Sequence, residues 1–131
     1  MLTVRTVLLR HHNAQGSHFD WLMEDPAWAG PMDDDQRGLW ASRVELDTGD
    51  WQPAGRWLVH RLPPHRRLYL HHEGPIGGGR GTVTRVDEGE SAIETWSASR
   101  CVVHVLMGRF CGRVQLERVD GALWEAKAVG G

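Results

Sequence analysis

The chain has 131 residues and a net charge of −2 when its eight histidines are neutral. That length suits one domain with a substantial buried core, and the small charge excludes the global basic field that drives tight non-specific binding to nucleic acid. Residues 1–10 lack a secretory signal, and no run approaches the roughly twenty apolar residues of a membrane helix. We therefore expect a cytoplasmic protein in which any phosphate recognition is local.

Alternating apolar and polar residues predict a series of short strands, and no helical period competes with them. Turn residues separate most of these runs, at 16–17, 48–50, 63–64, 77–79, 88–89, 108 and 120–121. The strands are predicted at residues 3–10, 18–23, 39–46, 56–62, 68–72, 82–87, 92–97, 100–106, 113–119 and 123–129. The pattern predicts an all-β fold: a single compact antiparallel β-barrel over residues 1–131, with short or few helices, because closure removes exposed strand edges.

The first chemical signal lies between His12 and Asp20. His18 and Asp20 are two residues apart, so on a strand they project from one face, while Phe19 and Trp21 project from the other into a core. The turn-rich residues 13–17 can fold the preceding strand back and bring His12 alongside. Two imidazoles and a carboxylate suit a divalent metal with open coordination positions. The alternative is an inert, exposed histidine-rich turn, since eight histidines produce close pairs by chance.

A second signal is the concentration of cations in residues 56–72, whereas residues 33–35 are all aspartate. The segment is either a local phosphate-binding surface or a solvated strand face. The glycine-rich residues 77–81 lack the Gly-Lys-Ser/Thr ending of a nucleotide-binding loop, which favours a barrel turn.

Five of the seven tryptophans lie inside predicted strands, which favours roles in packing, while Trp28 and Trp51 near turns are the better candidates for base stacking. Cys101 and Cys111 could approach across a hairpin, but in a reducing compartment we expect two small buried thiols and no disulfide. Their spacing does not indicate structural zinc.

Together, these segments resemble the 3′-phosphoesterase domain of bacterial DNA ligase D, and more closely a shorter stand-alone branch of that superfamily. The family's first block has His, five residues, then His-aromatic-Asp, which His12, His18, Phe19 and Asp20 match in type and spacing. The second block is matched by Arg61, His65, Tyr69, Glu73, Gly74 and the Gly-Thr-Val of residues 81–83. Residues 108–118, Trp124 and Lys127 resemble the closing strands, so the similarity spans nearly the whole chain.

The resemblance implies a metal-dependent phosphoesterase that removes a 3′-phosphate or 3′-ribonucleotide from nucleic-acid ends in DNA repair. It implies that His12, His18 and Asp20 hold a divalent ion, Mn²⁺ first, with Zn²⁺ or Mg²⁺ as alternatives. It assigns catalysis to His65 and Tyr69. The phosphate ligands that it implies are Arg61, His65, Tyr69 and Arg80. The implied partners are DNA or RNA-containing 3′ ends and separate end-joining ligase or polymerase proteins, with the protein itself a monomer away from membranes.

The chain departs from the family at two positions near the metal ligands, and we expect that the family's N-terminal arm has no room before Leu2. Leu22 stands where the family has an arginine two residues after the metal-binding aspartate, and Arg10 stands where it has a glutamine. These departures motivate an alternative function, a noncatalytic module that binds phosphate or nucleic-acid ends with the same fold. A third interpretation, an oligomeric scaffold with accidental histidines, gives no reason for both blocks to coincide.

Overall fold

A computed structural model, which describes residues 1–45 and 55–129, confirms the all-β antiparallel barrel. Eight strands close in the order β1-β2-β3-β4-β9-β8-β7-β6, and β6 returns to pair with β1. A two-residue strand, β5, pairs with the beginning of β6. The strands are β1 Leu2–Asn13, β2 Gly16–Glu24, β3 Leu39–Val44, β4 Arg56–His65, β5 Gly74–Pro75, β6 Thr82–Trp96, β7 Arg100–Met107, β8 Cys111–Asp120 and β9 Leu123–Val129.

The barrel interior is filled by side chains from all eight strands. Indoles dominate it: Trp21 and Trp40 are almost fully buried and meet edge to face, with ring centroids 5.3 Å apart. Trp57 and Trp124 join the same cluster. The predicted role of these tryptophans in packing is confirmed, since all four belong to the cluster of buried residues in the barrel interior.

A second apolar cluster lies on the outer face of β1, β2 and β3. It exists because the chain crosses this face on its way from β4 to β6, with a 3-10 helix, Arg67–Leu70, packed against β1 and β2. Arg67 fixes the crossing, since its Nη2 donates to Glu24 Oε2 at 2.8 Å and its Nε donates to the Met32 carbonyl. The members of the cluster are Val7, Leu9, Leu22, Leu39, Ala41, Tyr69, Leu70 and Val83.

Three local predictions differ from the structure. Residues 68–72, predicted as a strand, contain most of the 3-10 helix. Residues 82–87 and 92–96 belong to one strand, β6, and Ser97 follows its end. The strand continues because Gly89 is not in a turn: it lies where a Cβ would overlap the Leu106 carbonyl of β7. Pro63 and Pro64, predicted as a turn, lie within β4 where the register with β3 shifts by one residue, a position that tolerates proline.

Of the two thiols that were expected to be buried, Cys101 is buried and Cys111 is exposed. Both are free thiols, and they lie five positions apart in the β7–β8 register. Trp28 is not an open stacking surface, because its ring packs against Gly30 and Gly38 and its Nε1 donates to the Pro31 carbonyl. Trp51 and the turn predicted at 48–50 lie outside the described residues. Within the described part of the chain, no helix has the length and apolar character needed to cross a membrane.

The close approach of β6 and β7 makes Gly89 a stability determinant. We expect Gly89→Ala to lower the free energy of unfolding by about 3 kcal/mol, because the added methyl must displace the backbone of β7. Ser91→Ala on the same strand is the control. The Ser91 hydroxyl is buried without a hydrogen bond among the described residues, so its loss should cost less than about 1 kcal/mol. Urea unfolding of both variants measures the difference, and equal stabilities would contradict the steric explanation.

Candidate metal centre

The β1–β2 hairpin positions the candidate ligands. Its turn has only two residues, Ala14 and Gln15, and is closed by a bond from the Gln15 amide to Asn13 Oδ1. Asn13 therefore pairs with Gly16, and His11 lies directly opposite His18. Opposed residues in an antiparallel pair project from the same face, and so does Asp20, two residues beyond His18.

His11, His18 and Asp20 consequently converge on the outer face of the barrel, with one ligand atom from each lying within 4.8 Å of the others. His18 Nε2 is 3.2 Å from Asp20 Oδ1, and His11 Nδ1 is 3.9 Å from Oδ2. The two imidazoles meet edge to face at 4.9 Å between centroids. Two nitrogens and a carboxylate on neighbouring strands are a donor set that Mn²⁺, Fe²⁺ and Zn²⁺ accept, with coordination positions left for water or substrate.

The structure corrects the assignment of His12. It pairs with Ser17, is exposed, and projects from the opposite face of β1, the face that also carries Leu8 and Arg10. His11 takes its place in the cluster. The two-residue turn is the cause: it pairs odd-numbered residues of β1 with even-numbered residues of β2. A wider turn would have allowed His12 to share the face of His18.

The hydrogen bonding of Asp20 suits a cation. The residue is only 5% exposed, yet its Oδ1 has no hydrogen bond of acceptable geometry among the described residues, despite the nearness of His18. Burial raises the pKa of Asp20 to about 6, against the opposing influence of His11 and Arg43. The pKa of His18 is lowered to about 4, mainly by burial and also by the nearby charges of Arg43 and His11. At neutral pH the site therefore offers a carboxylate and an unprotonated imidazole, which are the ligand states that a metal requires.

His11 presents a defined nitrogen to the same point. Its Nε2 lies 2.7 Å from the backbone carbonyl of Arg80. A carbonyl only accepts, so Nε2 carries the proton and Nδ1 is left with its lone pair toward Asp20. Metal-binding histidines commonly donate their second nitrogen in this way, which fixes both the tautomer and the ring orientation.

A cavity of about 90 Å³ opens beside the cluster, under residues 66–81. His11, Asp20, His65, Tyr69 and Arg80 share its lining, so the structure brings three of the four predicted phosphate ligands to the candidate metal ligands. The rest of the lining is apolar and comes from the second cluster: Leu9, Leu22, Ile76 and Val83.

His65 enters this cavity as a neutral base. Its Nδ1 donates to the Pro63 carbonyl at 2.9 Å, which leaves Nε2 as the accepting nitrogen. Burial lowers the pKa of His65, and the nearby positive charge of Arg37 and Arg80 acts in the same direction against the stabilising bond to Pro63. The imidazole packs against Tyr69 with 5.8 Å between centroids. An unprotonated imidazole fixed through Nδ1 can take a proton at Nε2.

Arg61, the fourth predicted phosphate ligand, lies elsewhere. Its guanidinium is 4.9 Å from the ring centroid of Trp40 and 5.8 Å from that of Trp124, at the end of the barrel interior. The reason is the one-residue bulge at Pro63 and Pro64. In a regular strand Arg61 and His65 would share a face, but the extra residue reverses the alternation between them. The expectation that Arg61 contacts the phosphate is therefore corrected.

Sequence reasoning missed His11 and Arg43. The signal for His11 was the turn length, because a two-residue turn at Ala14 and Gln15 sets the face of every residue on β1. Arg43 carried no motif. It reaches the site because β3 pairs it with Asp20, a long-range register that local sequence does not encode.

A comparison of the chain with protein-family models found no match, and a comparison with curated proteins found none either.

The neighbouring histidines provide a matched test of the metal ligands. Loss of a group that only hydrogen-bonds a metal ligand typically weakens metal binding by roughly 10–100-fold. His11→Ala removes a ligand itself, so we expect it to weaken Mn²⁺ binding by more than that. His12→Ala, one residue away on the opposite face, should bind Mn²⁺ as the wild type does. Isothermal titration calorimetry on both folded variants measures this. A loss of affinity in His12→Ala alone would reinstate His12 and overturn the geometry.

Asp20 should destabilise the metal-free protein. Its folded-state pKa is raised from 3.8 to about 6, so the folded state favours the protonated acid, and stability present below pH 4 is lost as the pH rises through 6. The loss is at most about 3 kcal/mol. Asp20→Asn should therefore unfold at higher urea concentration than the chelator-treated wild type at pH 8 and at the same concentration at pH 4, while losing Mn²⁺ affinity. A less stable variant at pH 8 would show that the carboxylate has a structural partner.

Proposed function

We propose that this protein is a metal-dependent phosphoesterase that acts on nucleic-acid 3′ ends. The observation that carries the proposal is the shared cavity: the His11, His18 and Asp20 cluster adjoins it, and His65, Tyr69 and Arg80 line it from a different part of the chain. Separate segments of sequence thus supply a ligand set, a base and a cation to one point, which is the set of groups that phosphoryl transfer to water needs. The resemblance to the ligase D phosphoesterase domain supports the same reaction.

A divalent ion held by His11, His18 and Asp20 would polarise a phosphoryl oxygen and lower the pKa of bound water. His65 supplies the base: Nε2 accepts a proton as a water oxygen forms its bond to phosphorus and the bond to the 3′ oxygen breaks. That 3′ oxygen leaves with the bonding pair and takes up a proton from solvent water, and the His65 imidazolium then returns its proton to solvent. Tyr69 and Arg80 donate hydrogen bonds to the phosphoryl oxygens, where negative charge is concentrated.

The cavity has room for a terminal phosphate as the group bound. Its volume of about 90 Å³ is several times the roughly 10–15 Å³ that one water needs on the same measure. The sugar and base of a substrate would then extend toward the rim formed by residues 66–81.

A second candidate function, a phosphate-binding module without efficient turnover, is favoured by two observations. Leu22 is fully buried within the second apolar cluster, so the position at which the resembled family has an arginine forms an apolar wall of the cavity. Arg61 lies against Trp40 and does not reach the cavity. Fewer cations then contact the phosphate, which lowers the stabilisation of transition-state charge more than it lowers ground-state binding.

A primer that ends in a 3′-phosphate discriminates between the two functions. We expect the wild type with Mn²⁺ to release inorganic phosphate, and His65→Gln to lower kcat by about 10²–10⁴-fold because it removes the base. His104→Gln, an exposed histidine on β7 that bonds Glu94, is the matched control and should keep wild-type kcat. Release is followed with and without chelator.

The outcomes are distinct. Metal-dependent release that His65→Gln abolishes supports the phosphoesterase. A folded, Mn²⁺-loaded wild type that binds the 3′-phosphate end without releasing phosphate would favour the binding module and exclude the enzyme.

A further inference from the structure

The end of the crossing segment carries a backbone contact that the proposed chemistry does not use. Residues 76–81 return from the rim of the cavity to the start of β6 and meet the end of β1. Two contacts join them there: the Arg80 carbonyl accepts a hydrogen bond from His11 Nε2 at 2.7 Å, and Gly81 packs directly on the backbone of His12 and Asn13.

Gly81 is the residue that allows this approach. Its φ is 100°, a region that disfavours other residues, and a Cβ on it would overlap the His12 carbonyl oxygen. Its own carbonyl accepts from the Ile76 amide at 2.7 Å, which closes the loop. A side chain at this position would therefore push the preceding peptide, and with it the Arg80 carbonyl, away from β1.

We propose that residues 76–81 form a latch that sets the tautomer and orientation of His11 through the Arg80 carbonyl, and that Gly81 is a positioning residue for metal binding. Without the carbonyl, the proton of His11 could occupy either ring nitrogen. Metal binding through Nδ1 needs the proton on Nε2 and a fixed ring orientation, and the hydrogen bond to the carbonyl stabilises both. The inference rests on the proposed metal site and adds a backbone group to it.

Arg80 then has two separable roles. Its carbonyl holds His11, while its Nε donates to the Gly77 carbonyl at 2.8 Å and its side chain lines the cavity. Removing the side chain leaves the carbonyl in place. Arg80→Ala should therefore weaken phosphate binding and retain Mn²⁺ affinity, whereas Gly81→Ala should reduce Mn²⁺ affinity itself.

The test compares Mn²⁺ affinities by calorimetry on the full chain. We expect Gly81→Ala to bind Mn²⁺ about 10–100-fold more weakly than the wild type. Gly77→Ala is the matched control in the same loop, because a Cβ there meets nothing within 4 Å and its φ is not in the left-handed region, so its affinity should be unchanged. A folded Gly81→Ala protein with wild-type Mn²⁺ affinity would overturn the latch.

A second measurement includes a wild-type result that does not depend on the variant folding. Nitrogen-15 NMR of the imidazoles in chelator-treated wild type should show His11 protonated at Nε2, and a mixture of tautomers in Gly81→Ala. A His11 ring protonated at Nδ1 in the wild type contradicts the proposal. If the wild type binds no Mn²⁺, the metal site fails, but the tautomer still decides whether the latch exists.

Discussion

The packing of residues 66–81 against the outer face of β1, β2 and β3 gives this barrel its site. Indoles pack in the interior, and the candidate site lies on the outer face. On the outer face, Leu22 and Leu9 would be exposed apolar residues if the crossing segment did not cover them. The hydrophobic effect therefore holds the segment in place, and the cavity forms where its coverage stops, beside the polar end of the hairpin. Tyr69 and Arg80 belong to this cover, and His65 lies at the end of β4 just before it, so the segment that completes the core also lines the cavity.

Burying the Asp20 carboxylate at the edge of that cluster has an energetic cost that a bound cation would offset. Asp20 Oδ1 is buried without a hydrogen bond among the described residues, and a purely structural position would favour a neutral side chain. Native proteins tolerate such groups mainly where function requires them. The inward-facing Thr6 provides the contrast, since its hydroxyl accepts from Trp21 Nε1 and donates to the Leu22 carbonyl, so its hydrogen-bonding capacity is met.

The sequence predicts the class of fold well and the faces of individual residues less well, for a physical reason. Alternation identifies strands, and Gly and Pro mark interruptions, but neither reveals how strands pair. A two-residue turn moved the third ligand from His12 to His11, and a one-residue bulge moved Arg61 to the other face of β4 from His65. Each error is a single step of register, and a single step reverses the face of every residue beyond it. Gly89 was read as a turn because close strand approach and chain reversal both select glycine.

The electrostatics follow from the same topology. The chain as a whole carries a net charge of −2, yet the arginines that influence the ionisable groups of the site come from three places: Arg37 before β3, Arg43 on β3 and Arg80 before β6. Burial is the main reason that the pKa values of His18 and His65 are lowered, and these charges act in the same direction and also favour an anion in the cavity. The charges of a bound divalent metal and a bound phosphate would nearly cancel. Either ligand bound alone would leave part of its own charge uncompensated. For the metal and phosphate that we propose as ligands, opposite charges therefore favour binding together, so each should bind more tightly when the other is present.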